Sequence, residues 1–381
     1  MCMTLGCFPI GAGMLIEDLE RDPHPLLAEL RTSEPVSWLP VFDGWLVTGY
    51  HLARTVLRDA ETFTVDDPRF STARLLGPNM LSLDGTAHAR HRDPFARPFR
   101  PPLVRERLTE FVHTTAEHLL ATIMPNGRAD LRAEFAGPLA VTVMAETLGL
   151  PDVDATTIRS WYQTLVAAVS DLTAGRPADA NDVRKQLRDS VIAAADSALF
   201  AAARAHGLDT EQVAANAAVL MFGGIDTTEG MITNTVVHLL DHPNQHTLVQ
   251  AEPNLLPAAI EESLRLEPTA AVVDRYATAD TELGGVPIAR GDLVRVSLAG
   301  ANRDPEIFTD PDRFSIHRSD TATHLTFARG PHSCFGAPLA RLETEAALEK
   351  LLTLPGLRLD EPARPHGLVF RKPLSVQVRW D

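Results

Sequence analysis

The chain has little cysteine, little lysine and no long apolar run, and each shortage removes a class of protein. Three cysteines occur in 381 residues, Cys2 and Cys7 at the start and Cys334 far along. Cys334 has no CxxC companion, so a zinc site or a disulfide framework has little support. Lysine is confined to Lys185, Lys350 and Lys372, the other basic residues being arginine, a bias of the kind that genomic base composition produces. Basic side chains number 35 against 50 acidic ones, for a net charge of -15. A nucleic-acid partner would call for the opposite balance. No stretch reaches the roughly 18 uninterrupted apolar residues of a membrane span. The opening residues, MCMTLGCFPIGAGMLIEDLE, lack the basic region of a secretory signal. A cytoplasmic protein is therefore expected, with neither nucleic acid nor membrane among its partners.

Linkers and repeats are missing too. The length sets a prior of roughly two to three domains, but no Ser/Gly-rich segment or long charge run divides the chain, so residues 1–381 read as one domain. With 45% apolar residues it can bury a sizeable core. The pattern is mainly α. Helices are expected over Pro25–Leu30, His51–Asp59, Leu103–Ile123, Pro138–Leu148, Ala155–Val169, Asp182–Ala205, Glu211–Leu240 and Ala337–Leu352. Val36–Leu39 and Trp45–Thr48, joined through Asp43-Gly44, read as a hairpin. Short strands such as Leu293–Ser297 follow Pro268. Ala60–Gly85 reads as an irregular stretch, and long irregular segments are often functional.

The most informative stretch is Phe327–Gly336, FARGPHSCFG, where a loop turns into a helix with Pro338 in its first turn. Unpaired N–H groups and the helix dipole favour an anion there, which predicts a thiolate at Cys334. The residues alone leave open a redox sensor, a nucleophile or a metal ligand. The stretch resembles the haem-ligand loop of the cytochrome P450 family at Phe327, Gly330, His332, Cys334 and Gly336. Ala328 stands where that family usually has glycine. The resemblance implies the P450 fold, a helical prism with a small β-sheet region, and haem b (iron protoporphyrin IX) held by the Cys334 thiolate, with Gly336 beside it.

Three further elements match in the family's order. His88 and Arg92 stand at i and i+4 on one helical face, and the matching P450 helix holds a haem propionate with such a pair. Leu220–Thr228, LMFGGIDTT, places two glycines inside a helix at about 1 kcal/mol each. Close helix packing would explain them; the resemblance implies instead an oxygen groove, with Thr227 donating to dioxygen and Asp226 supplying protons. Thr227 can also reach the Gly223 carbonyl. Glu262 and Arg265 match the buried ExxR pair behind the haem. By the same resemblance Arg275 and His332 would be further propionate partners, and Ala301–Phe314 would have a structural role.

The activity implied is monooxygenation of a hydrophobic small molecule by a monomer. Electrons would come through a ferredoxin and its NAD(P)H-dependent reductase. Arg90, Arg97, Arg100, Arg105 and Arg107 make one neighbourhood basic in an acidic chain, and part of it is a candidate docking face for that donor. The substrate pocket is expected from Ala60–Gly85, Trp161–Ser170, Leu220–Thr227 and Ala270–Val273. A peroxide-using or rearranging enzyme of the same fold and a haem-binding sensor without turnover are the competing readings.

Overall fold

The computed structural model describes residues 8–150, 153–194 and 197–381; Cys2, Cys7 and the start of the N-terminal stretch lie outside them. The expected hairpin forms. Strand β1 (Val36–Leu39) pairs antiparallel with β2 (Gly44–Val47), and the turn holds Asp43 in left-handed backbone at φ +49°. Ala60–Gly85 is less irregular than its composition suggests, since it contains β3 (Phe63–Thr64) and a helical turn and a half over Ser71–Leu76.

The helical body follows. It comprises α1 (Gly85–Ala96), α2 (Pro101–Ile123), α3 (Gly137–Leu148), α4 (Ala155–Thr173), α5 (Asn181–Ala193), α6 (Ala198–Ala205) and α7 (Thr210–Asp241). The segment expected as one helix over Asp182–Ala205 is thus two, flanking residues 195–196. Ser197 N–H donates to the Ala194 carbonyl at 3.1 Å. Helix α7 starts at a capping box: Asp209 accepts from Gln212 N–H at 2.9 Å while the Gln212 side chain accepts from Asp209 N–H at 3.2 Å. Apolar on almost every side, it is buried along most of its length, as such a helix must be. It packs against α3, α4 and α5, and against α8 (Leu256–Leu266).

After α8 the chain adds β4 (Val272–Ala277) and β5 (Leu293–Ser297), completing a sheet ordered β1-β2-β5-β4-β3 in which only β2 and β5 run parallel. The cysteine loop leads into α9 (Ala337–Leu351), and the chain returns through β6 (Lys372–Pro373) beside α7. The largest apolar cluster is shared by the helices, and a second covers the sheet. Glu262 is buried and accepts from Arg265 at 2.8 and 2.9 Å, and from Ser315 N–H and Arg318. Among the described residues no helix is long and apolar enough to cross a membrane.

Candidate active site

The cysteine loop is closed by its own backbone. Cys334 N–H donates to the Phe327 carbonyl at 2.9 Å, and Ser333 N–H to that of Gly330 at 3.1 Å. Gly330 is required there: its φ is +77°, and a Cβ would come within 2.5 Å of the Leu57 carbonyl oxygen. Ala328 also sits in left-handed backbone, φ +54°, where glycine would be unstrained. The sulfur lies deep in the molecule but opens onto a cavity.

Helix dipole and burial oppose each other at this thiol. Burial pushes it up, and the N–H groups of Gly336 and Ala337, with Arg92 and Arg341, pull it down. Burial prevails. Beyond the helix start and these two arginines, a further positive charge on the sulfur would favour its anionic form.

The cavity holds about 1700 Å³ of empty space, its mouth included. Cys334 and Gly336 line one side; Gly223, Gly224 and Thr227 of α7 line another. The two mid-helix glycines differ in purpose. A Cβ on Gly224 would meet the Met144 side-chain tip at 2.0 Å, so this glycine admits α3, whereas a Cβ on Gly223 meets nothing within 4 Å and would project into open space. Thr227 Oγ1 donates to the Gly223 carbonyl at 2.5 Å. Of the segments expected to form the pocket, Ala60–Gly85 supplies Val65, Met80 and Leu81, and Ala270–Val273 contributes throughout most of its length. From Trp161–Ser170 only Val169 reaches the cavity; Trp161 turns away to donate to Gln186 at 2.7 Å.

One edge of the cavity is cationic. Arg92, Arg275 and His332 line it, and His88 lies directly behind, its ring 4.3 Å from that of His332. Arg92 donates to the Ser333 carbonyl at 2.5 Å and sits over the Phe335 ring, which ties α1 to the cysteine loop. Arg275 is buried, and the lost hydration pushes it down to about 10. Burial likewise holds His88 down at about 4, helped by His332 and Arg92. His88 Nε2 and His332 Nδ1 are buried without a protein partner. Such atoms cost about 1–3 kcal/mol each unless something accepts from or donates to them.

Two features were not read from the sequence. Asp84 precedes α1 without capping it; its carboxylate instead takes His332 Nε2 at 2.7 Å, Thr64 Oγ1 at 2.6 Å and Val65 N–H at 2.9 Å. Burial would raise this acid, but those donors hold it far below the usual carboxylate range. The second is the setting of Asp226. It does not line the cavity; it is buried on the other flank of α7 against Lys372, which also meets Glu229 at 2.7 Å. Lysine scarcity was a usable signal, since one of three lysines in the chain is spent here.

The comparisons with known proteins are consistent along the chain. The family model described as cytochrome P450 matches residues 160–354. The cytochrome P450 monooxygenase PikC of Streptomyces venezuelae is 37% identical, over 97% of this chain and 93% of its own length. The chain belongs to the cytochrome P450 family. Its fold agrees: the solved structure of CxnD, a P450 enzyme for C–S bond formation in chuangxinmycin biosynthesis, superposes with a TM-score of 0.88 at 30% identity, covering 96% of this chain and 97% of that one. P450BioI, solved with an acyl carrier protein ligated to hexadec-9Z-enoic acid, gives a TM-score of 0.86 at 29% identity over 96% of this chain and 99% of that one.

P450s are haem enzymes, and the residues present fit that group. A soft sulfur faces the cavity, its other wall is open at Gly223, and the partnerless His88 and His332 nitrogens stand with the Arg92 and Arg275 guanidinium groups at the edge where a porphyrin's carboxylates need donors.

Proposed function

We propose that this P450 inserts one oxygen atom from dioxygen into an apolar organic molecule, with haem b held by Cys334. The observation that carries the reading is the placement of Cys334, Gly223 and Thr227 around one cavity edged by Arg92, Arg275 and His332. Cys334 is the sole cysteine among the described residues, which favours a haem held without thioether links. Residues 1–381 act as one catalytic unit in this reading.

When bound, a thiolate-ligated haem supplies reductive cleavage of dioxygen. The chain's own residues do the rest. Arg275 and Arg92 would bind the carboxylates by charge-assisted hydrogen bonds, with His332 and His88 filling their orphaned valences. Cys334 would hold the iron, whose positive charge would favour the thiolate against burial. Gly223 leaves space beside the helix, and Thr227 presents its hydroxyl there. Asp226 would relay protons that the reaction consumes. Val65, Met80, Leu220, Val273 and Phe370 give the substrate side an apolar surface.

Electrons would come from NAD(P)H through a reductase and a ferredoxin, and a cytoplasmic location is part of that reading. Arg97 and Arg100 are exposed and flank Phe99, whose ring packs 5.1 Å from Phe335 next to Cys334. An acidic donor docking there would lie close to the sulfur. Charge reversal at both arginines is expected to slow reduction and flatten its dependence on salt, measured by stopped-flow.

The deciding experiment is the spectrum of the reduced, purified protein with carbon monoxide. A strongly red-shifted Soret band, lost in Cys334→Ser, is expected; a band typical of a neutral ligand would overturn the assignment. Substrate-dependent NAD(P)H oxidation with ferredoxin and reductase then tests turnover.

A further inference from the structure

Behind the oxygen groove lies a buried ionic cluster of unequal members. Glu229 is held by two cations and a hydroxyl: Arg132 Nε at 2.6 Å, Lys372 Nζ at 2.7 Å and Tyr162 OH at 2.9 Å. The fit is built in. A Cβ on Gly137 would approach the Glu229 carboxylate to 2.8 Å, and Arg132 opens a π-helical turn over Arg132–Ala136, a geometry often found at functional sites. Arg132 is itself anchored by donating to the Leu374 carbonyl at 2.8 Å, two residues beyond Lys372. Asp226 has far less. Among the described residues Lys372 is the one cation that bonds it, at Oδ1, and Oδ2 is buried with no partner.

We propose that Lys372 is a positioning residue for the reaction: clamped by Glu229, its ammonium keeps the Asp226 carboxylate charged and turned away from the cavity, with one oxygen left free. Glu229 is the fixed anion and Asp226 the carboxylate that can change its proton. Around the pair, Lys372 meets both carboxylates, Arg132 and Tyr162 bond Glu229 and act on Asp226 only at longer range, and Arg159 acts on Tyr162. Burial raises Asp226 against the pull of Lys372, whereas Glu229, with two cations, is held down despite its burial. Without the lysine, an isolated buried carboxylate takes up a proton rather than keep its charge. The lysine, one of three in the chain, and the unpaired Asp226 oxygen thus serve one device beside α7.

This inference rests on the monooxygenase reading for its purpose but not for its test. In haem-loaded Lys372→Met at neutral pH, infrared spectroscopy is expected to show the carbonyl stretch of a protonated carboxylic acid, shifted by deuteration and absent from Lys372→Met/Asp226→Asn. Product formed per NAD(P)H is expected to fall on the order of tenfold, with more hydrogen peroxide and a larger solvent isotope effect; Lys372→Arg should restore part of both. If Lys372→Met fails to fold, Lys372→Met with Glu229→Gln removes one charge of each sign, and the same carbonyl band is expected. A folded variant with no new carbonyl band and unchanged coupling overturns the proposal. Should the unsubstituted enzyme oxidise nothing, the monooxygenase reading fails, while the infrared result still decides what Lys372 does.

Discussion

Single positions show where this chain spends strain. Ala328 holds left-handed backbone in the cysteine loop, a conformation that costs an L-residue about 1–2 kcal/mol. Its methyl repays little of that, being only partly buried against the sheet-side cluster. Ala328→Gly is therefore expected to stabilise the protein, by up to about 1 kcal/mol once the extra freedom of the unfolded chain is counted. Urea denaturation measures it, and a loss of stability would mean that the methyl contact outweighs the backbone strain. Gly330, two residues on, permits no such exchange, because the Leu57 carbonyl occupies the space of any Cβ.

At the scale of elements, α7 uses adjacent glycines for opposite purposes. Gly224→Ala drives a methyl into Met144 and should cost about 1–3 kcal/mol through overpacking, softened if the flexible Met144 tip moves. Gly223→Ala meets no atom and should gain roughly 0.5–1 kcal/mol of helix stability while placing a methyl in the cavity. Thermal unfolding and ligand-binding spectra of the two variants should therefore diverge: one less stable, the other stable but impaired in the site. Helix α8 carries the other strong dependence. Glu262 is fully buried with Arg265, Arg318 and Ser315 N–H around it. Glu262→Ala leaves those donors uncompensated and should cost about 3–5 kcal/mol, read as lost stability or lost haem uptake.

For the molecule as a whole, the ties between the helical body and the cysteine helix predict how it responds to acid. Glu261 on α8 takes Arg341 of α9 at 2.5 and 2.9 Å and His324 at 3.1 Å. Burial would raise this carboxyl, but those donors bring it down to about 2. A depressed acid contributes stability in full above its unfolded value, about 4.3, and loses it as pH falls from there toward about 2. In that window Glu261→Gln should lower the slope of stability against pH by up to about 1.4 kcal/mol per unit, the value for one proton. Denaturant titrations at several acid pH values check it; equal slopes would mean that Glu261 is free of its partners.

The mainly helical class, the hairpin at Asp43-Gly44, the helix starts and the cysteine loop were legible in the sequence, because they depend on local chemistry: periodicity, turn residues and caps. The family followed from a few short motifs in order, and the comparisons agree. Pairings across the chain were not legible. Nothing local to Asp226 says that Lys372, 146 residues away, would hold it, or that Asp84 would meet His332 rather than cap its own helix. Gly223 and Gly224 read alike, and only the packing of α3 separates them. Nor could the helix-start argument weigh burial at Cys334. Local propensity is written residue by residue, whereas burial and charge pairing depend on which distant segments the fold brings together, and at this site those decide which groups can be charged.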